Sequence, residues 1–190
     1  KKYFIMKKII IIGAGAMGSA FTVPCLENKN EVTLIGTHLE DELINSIQLN
    51  KNFHPALNLE LPTKLKVEKY ERLKSILEGG VDIIVAGVSS IGIKWFVDQI
   101  TKNYKKNLPI ILLTKGLAIE DNELITLSDK IKKLLNKKGH EEVNVSAIKG
   151  PCLAAGLANK MRTGTVIANP NIKEAQNLKK IISTEYYSTE

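Results

Sequence analysis

Cysteine is scarce in this chain: Cys25 and Cys152 are the only two in 190 residues, and neither sits in a C-x-x-C pair or another metal-ligand spacing. That excludes a disulfide framework and leaves two reduced thiols and no metal site as the expectation. Histidine is equally sparse. His38, His54 and His140 are scattered, so Cys152 has no partner motif for nucleophilic work, although it follows Gly150-Pro151 at a helix start that would favour a thiolate. Long apolar runs are missing too. None reaches the roughly 18 residues that span a bilayer, and KKYFIMKKIIII has no small-residue cleavage site after an apolar core. The expectation is a soluble, cytoplasmic chain with no membrane partner. Residues 1–6 read as an upstream or non-native extension ending on Met6, a candidate natural start, and 7–190 as one domain.

Aromatic residues make up only 5% of the chain and do not interleave with the basic ones, so there is no stacking platform for single-stranded nucleic acid. The net charge of +7 does not change this. Its densest run, DKIKKLLNKKGH at Asp129 to His140, carries an apolar stripe of Ile131, Leu134 and Leu135, which turns the lysines toward water. No nucleic-acid partner is expected. A positive field still suits small phosphorylated ligands and nucleotides.

What is present is a regular alternation. Apolar, strand-like runs at Lys8 to Ile12, Val32 to Ile35, Val81 to Ala86, Ile110 to Leu113, Val143 to Ile148 and Thr165 to Ala168 are separated by helix-like segments. The helices fall at Met17 to Glu27, Leu39 to Leu49, Tyr70 to Leu77, Ile93 to Asn103, Glu123 to Asn136, Cys152 to Asn159 and Ile172 to Ile182, with a short extra strand at Lys64 to Val67. This predicts an α/β fold, a doubly wound, mostly parallel sheet of Rossmann-like type in a single domain. Pro24, inside the first helix, should kink it or shift its pairing.

The first strand-to-helix turn reads GAGAMG, Gly13 to Gly18. A helix starting there directs its free N–H groups, at the positive end of its dipole, toward a bound anion. Gly13 can take the tight turn, Gly15 lets a pyrophosphate approach the backbone, and Gly18 lets helix and strand pack closely. The plainer alternative is a small-residue turn with no ligand. In such sheets the ligand lies beyond the carboxyl ends of the strands, so the residues there are the candidates. After the second strand come Thr37 and His38, with the acids delayed to Glu40 and Asp41. An NAD ribose is usually met by an acid at the strand end, so the 2′-phosphate of NADP stays open here, and Thr37 and His38 could bond it; His38 also reads as an exposed loop residue. Beyond the third strand Gly87-Val88-Ser89-Ser90 lets a cofactor pass close to the backbone, which makes Ser89 a cofactor contact. After the fourth, Lys115 of Thr114-Lys115-Gly116 can grip a phosphate or polarise a carbonyl. After the fifth, Lys149-Gly150-Pro151-Cys152 forms a second turn with free N–H groups.

In order, the segments IIGAGAMGSA, LIGTH, NKNFHPALNLELP, AGVSS, LLTKGL and KGPCLAAGLANKMRTGTVIA resemble the amino-terminal domain of the NAD(P)-dependent glycerol-3-phosphate dehydrogenases, from about Lys7 to Ala168. The resemblance implies NAD or NADP as cofactor and hydride transfer between its nicotinamide and dihydroxyacetone phosphate, giving sn-glycerol 3-phosphate for glycerophospholipid synthesis. Ala16 and Met17 stand where family members contact the pyrophosphate, and Thr37 where the adenosine end is read. Phe53 takes the place of a cofactor-adjacent tyrosine, or is a simple core aromatic. Lys115 matches the lysine that binds substrate and cofactor and is the catalytic candidate, while Gly150, Cys152 and Ala154 match the G-P-S-x-A segment. Gly150 and Cys152 are thereby substrate contacts and Ala154 a cofactor contact. His54 replaces a leucine, Lys149 a serine, Leu153 a phenylalanine, Gly156 a glutamate and Arg162 a proline.

The family's carboxy-terminal helical domain, which supplies the acid/base lysine and phosphate-binding residues, has no match in these 190 residues. The expectation is a chain that binds NAD(P) and turns over poorly or not at all alone, with the family's homodimer left open. Two other readings are a non-catalytic dinucleotide-binding or sensing module and another reductase of this fold, similar to ketopantoate reductase.

Overall fold

The structure, a computed structural model, describes residues 6–103 and 107–190. Residues 1–5, most of the extension expected before Met6, lie outside the described residues. The first half of the chain runs β1 (Lys8–Ile12), α1 (Ala16–Glu27), β2 (Glu31–Ile35), α2 (Asp41–Leu49), a hairpin of β3 (Phe53–His54) and β4 (Leu59–Glu60), then β5 (Lys66–Glu68), a 3₁₀ turn (Tyr70–Arg72), α3 (Leu73–Glu78), β6 (Ile83–Ala86) and α4 (Ile93–Asn103). The second half runs β7 (Ile110–Leu112), a hairpin of β8 (Leu117–Glu120) and β9 (Glu123–Thr126), α5 (Leu127–Asn136), β10 (Val145–Lys149), α6 (Ala154–Ala158), β11 (Thr163–Ala168), α7 (Ile172–Ile182) and β12 (Tyr187–Thr189).

Eight strands form one sheet in the order β12-β11-β10-β7-β6-β1-β2-β5. The pairs from β10 to β5 are parallel, and β11 runs antiparallel to β10. This is the doubly wound, Rossmann-like arrangement. The run of isoleucines in β1 explains why it is central: Ile9 and Ile11 face one core layer, with Phe21 of α1 and Leu178 of α7, while Ile10 and Ile12 face the other, with Phe96 of α4 and Ile131 of α5. A strand buried on both faces needs apolar side chains in both directions.

Several boundaries differ from the periodicity. Glu123 to Thr126, read as the start of a helix, is a strand, because Asp121 and Asn122 take the left-handed conformation and turn β8 back on β9. The helix begins only where the Thr126 hydroxyl accepts from the Asp129 N–H at 3.1 Å. Its stripe is as expected, with Ile131 and Leu135 buried, and Lys133, Lys137 and Lys138 pair with Glu120 and Asp98 at the surface. The segment Tyr70 to Leu77 splits into a 3₁₀ turn and α3. Strand β12, with no counterpart among the expected strands, pairs parallel to β11 and buries Tyr187 edge-to-face on Phe21, ring centres 6.3 Å apart. α1 continues through Pro24 to Glu27, and the Asn28 N–H returns to the Pro24 carbonyl at 3.2 Å.

Candidate functional site

The carboxyl ends of β2, β1, β6, β7 and β10 open on one cavity of about 690 Å³, the size of a cofactor site. Its floor is the glycine turn. Gly13 adopts φ +111°, and a Cβ there would lie 2.7 Å from the Gly87 carbonyl; a Cβ on Gly18 would lie 2.1 Å from the Gly13 oxygen. These two glycines are packing requirements behind the cavity and do not line it. Gly15 differs. It is the N-cap of α1, has nothing within 4 Å of where its Cβ would be, and lines the cavity with Ala16 and Met17. The first turn of α1 has no side-chain cap and no acidic residue of its own, so its N–H groups lack a side-chain acceptor within the turn.

Two side chains hold that turn. The Glu40 Oε2 accepts from the Ala14 N–H at 3.0 Å and the Thr37 N–H at 2.7 Å, joining the ends of β1 and β2. The buried His54 donates from Nε2 to the Ala14 carbonyl at 2.9 Å while its Nδ1 accepts from the Leu57 N–H at 3.3 Å, which selects one neutral tautomer. Neither was singled out from the sequence as a site residue. Glu40 arrives five residues after its strand ends, and His54 lies on the separate β3–β4 hairpin, so only the fold brings them to Ala14. The hairpin carries Phe53 as well, half-buried and outside the cavity lining.

Next to Glu40, the cavity is lined by Thr37, His38, Leu39 and Trp95. The His38 ring lies 4.8 Å from that of Trp95, which is 5.5 Å from Tyr70. Ser89 lines the middle, beyond β6. At the far end the Thr114 hydroxyl donates to the Val88 carbonyl, and the Lys115 ammonium donates to the carbonyls of Gly150 and Cys152. Lys149 returns the bond, donating to the Thr114 carbonyl at 2.9 Å. Burial and the nearby Lys115 charge hold the Lys149 ammonium below the usual lysine range. Among the described residues neither lysine has a carboxylate within salt-bridge distance.

Gly150 takes φ +147° and contributes its carbonyl to Lys115; it does not itself line the cavity. Cys152 and Ala154 do line it. Burial pushes the Cys152 thiol up, outweighing the opposing pull of Thr163 and Lys115, so the helix start does not produce an activated nucleophile. The helix there, α6, begins only at Ala154. Among the described residues no three His, Cys, Asp or Glu side chains converge to hold a metal, and no helix is long and apolar enough to cross a membrane.

The family model described as NAD-dependent glycerol-3-phosphate dehydrogenase N-terminus matches residues 8–175. The chain is 34% identical over 182 residues to an NADP(+)-dependent glycerol-3-phosphate dehydrogenase from Archaeoglobus fulgidus, covering 96% of this chain and 52% of that one. It is 31% identical to a glycerol-3-phosphate dehydrogenase [NAD(P)+] from Mesoplasma florum, covering 95% and 52%. The crystal structure of glycerol-3-phosphate dehydrogenase from Coxiella burnetii superposes with a TM-score of 0.80 at 24% identity, covering 97% of this chain and 53% of that chain. The chain thus spans about half the length of these relatives. By the match over residues 8–175, the chain belongs to the NAD-dependent glycerol-3-phosphate dehydrogenase family, in the region of the family's N-terminus.

Proposed function

We propose that the chain binds a nicotinamide dinucleotide, NAD or NADP, across the cavity and serves the reduction of dihydroxyacetone phosphate to sn-glycerol 3-phosphate. The observation that carries this reading is the first turn of α1, uncapped and free of acids, with open space at Gly15. That cradle fits a pyrophosphate. When bound, the cofactor supplies the hydride that passes between its nicotinamide and the substrate's C2. The chain's own residues bind and orient. Gly15, Ala16 and Met17 hold the pyrophosphate, Thr37 and His38 border the adenosine, Ser89 and Ala154 lie along the cofactor's path, and Lys115, with Gly150 and Cys152 around it, holds the substrate end. Lys115 has free donor capacity beyond its two carbonyl bonds, enough to grip a phosphate or carbonyl oxygen.

The chain spans about half the length of its relatives, and the activity proposed for these 190 residues alone is cofactor binding. Dihydroxyacetone phosphate reduction by the purified chain is expected roughly 10² to 10⁴ below that of a full-length relative. The reading places this chemistry in the cytoplasm, supported by the two unpaired thiols, Cys25 and Cys152.

The test uses Trp95, the chain's single tryptophan, which lines the cavity. NADH is expected to quench its emission saturably. Gly15→Asp should keep the melting temperature, because its side chain enters open space at a position where aspartate caps a helix, and should weaken NADH roughly 100-fold or more by setting a carboxylate against the pyrophosphate. Unaltered NADH affinity in Gly15→Asp would remove the α1 terminus from the site.

A further inference from the structure

A glycine at position 15 leaves one peptide of the turn a choice between two orientations. Rotating the Ala14–Gly15 peptide by half a turn carries the Gly15 φ from −62° into the positive range, which glycine enters readily and other residues do not. Only one orientation serves an anion. In a planar trans peptide the C=O and N–H point opposite ways, so an Ala14 carbonyl turned into the protein turns the Gly15 N–H toward the cavity that Gly15 lines. Flipped, the same peptide would set the Ala14 carbonyl against the oxygens of a bound anion.

Two side-chain donors fix that carbonyl. The Ser19 hydroxyl of α1 gives to it at 3.0 Å, and His54 Nε2 gives to it at 2.9 Å from the β3–β4 hairpin, outside the turn. The Gly15 N–H gives to no backbone acceptor among the described residues. His54 can act as a donor because of where the hairpin puts it. The ring is 1% exposed and its Nδ1 takes the Leu57 N–H, which leaves the proton on Nε2. Leu57 and Leu61 sink into the same core layer as Ala14, and the Asn52 amide closes the base of the hairpin on the carbonyls of Pro62 and Leu65 at 3.3 and 3.4 Å. The imidazole thus reaches the turn from an anchored support.

We propose that His54 is a positioning residue for the dinucleotide, holding the Ala14–Gly15 peptide in the orientation that offers the Gly15 N–H to the pyrophosphate. This rests on the dinucleotide reading given above and deepens it. His54 lies outside the cavity lining and acts only through the peptide it holds. A leucine, the residue the family resemblance leads one to expect here, has no donor to give.

The experiment is a Trp95-quenching titration with NADH on the whole chain and on two variants that separate the imidazole's two bonds. His54→Asn keeps an acceptor near the Nδ1 position for Leu57 and stops short of Ala14, whereas His54→Gln extends an amide donor toward the Nε2 position. NADH is expected to bind roughly five- to tenfold more weakly to His54→Asn, the worth of one hydrogen bond, and within about twofold of the parent to His54→Gln, whichever variant melts later in urea. Losses that follow the urea midpoints instead of the donor, or an unchanged affinity in His54→Asn, would overturn the positioning role and leave the dinucleotide reading intact. Absence of quenching by NADH in the parent chain would overturn both. Gly15→Ala supplies a second test, because alanine resists the positive φ that the flipped peptide needs. In that background His54→Asn should cost NADH less than about twofold; the same five- to tenfold loss in both backgrounds would count against the proposal. Should His54→Asn fail to fold, His54→Gln carries the test, since a folded His54→Gln that loses NADH about tenfold would overturn the role of the donor.

Discussion

At the β2 end of the cavity a carboxylate receives backbone N–H groups, whereas at the β7 and β10 end two ammonium groups give to backbone carbonyls. Glu40 ties Ala14 to Thr37 across β1 and β2; Lys115 and Lys149 exchange bonds with Gly150, Cys152 and Thr114 across β7 and β10. Both pairs of loops are stitched by ionised side chains. The sign at each end follows from which backbone groups lack partners there. Beside the start of α1 the free groups are N–H donors, and beside the irregular turns after β7 and β10 they are carbonyls. Charge that serves as a local tie is thereby also displayed to whatever enters the cavity, negative at one end and positive at the other.

Lys115→Met is the strongest way to break this contrast. It is expected to weaken sn-glycerol 3-phosphate, measured by thermal shift on the NADH-loaded chain, roughly 10- to 100-fold, with NADH affinity within about threefold of the parent. An equal loss of NADH would show that the two ends do not act separately. His54→Leu, which installs the family's residue, addresses the other end. It leaves the Leu57 N–H without its acceptor and the Ala14 carbonyl with Ser19 alone, and should cost about 1 to 3 kcal/mol in a urea melt. A neutral outcome would mean that Glu40 and Ser19 hold the turn unaided.

The smallest effect expected is the pH dependence that Lys149 contributes. Its ammonium is held below the ordinary lysine value, so the unfolded chain retains that proton more tightly. Stability then rises with pH across the window between the lowered folded value and the ordinary one, and the penalty is fully present below that window. Lys149→Met should flatten this slope in denaturant melts taken at pH values below the ordinary lysine value of 10.5. A slope identical to the parent's would show that the ammonium is not strained by its surroundings.

Much of this could be read from the order of residues. Four successive isoleucines ending in Gly13 announce a central strand, and the small residues after each apolar run mark the mouth of a parallel sheet. Lys115 was identifiable because it follows such a run directly. What stayed hidden has a common cause. The β8–β9 hairpin replaces a predicted helix start because two left-handed residues, Asp121 and Asn122, reverse the chain, and Glu123 to Thr126 then satisfies its backbone by pairing with β8. Phe53 drew attention as an aromatic in a family segment, while its neighbour His54 makes the contact with the glycine turn.

By itself the sequence determined the parallel part of the sheet, its two apolar faces and the glycine turn, because those rest on local periodicity and on glycines with steric roles at fixed spacing. Only the tertiary structure decided the electrostatics of the cavity. The carboxylate of Glu40, the imidazole of His54 and the ammonium of Lys149 each find their partners across strands or hairpins distant in sequence or folded back by a turn. No periodicity encodes such a meeting; it exists only once the strand ends lie side by side.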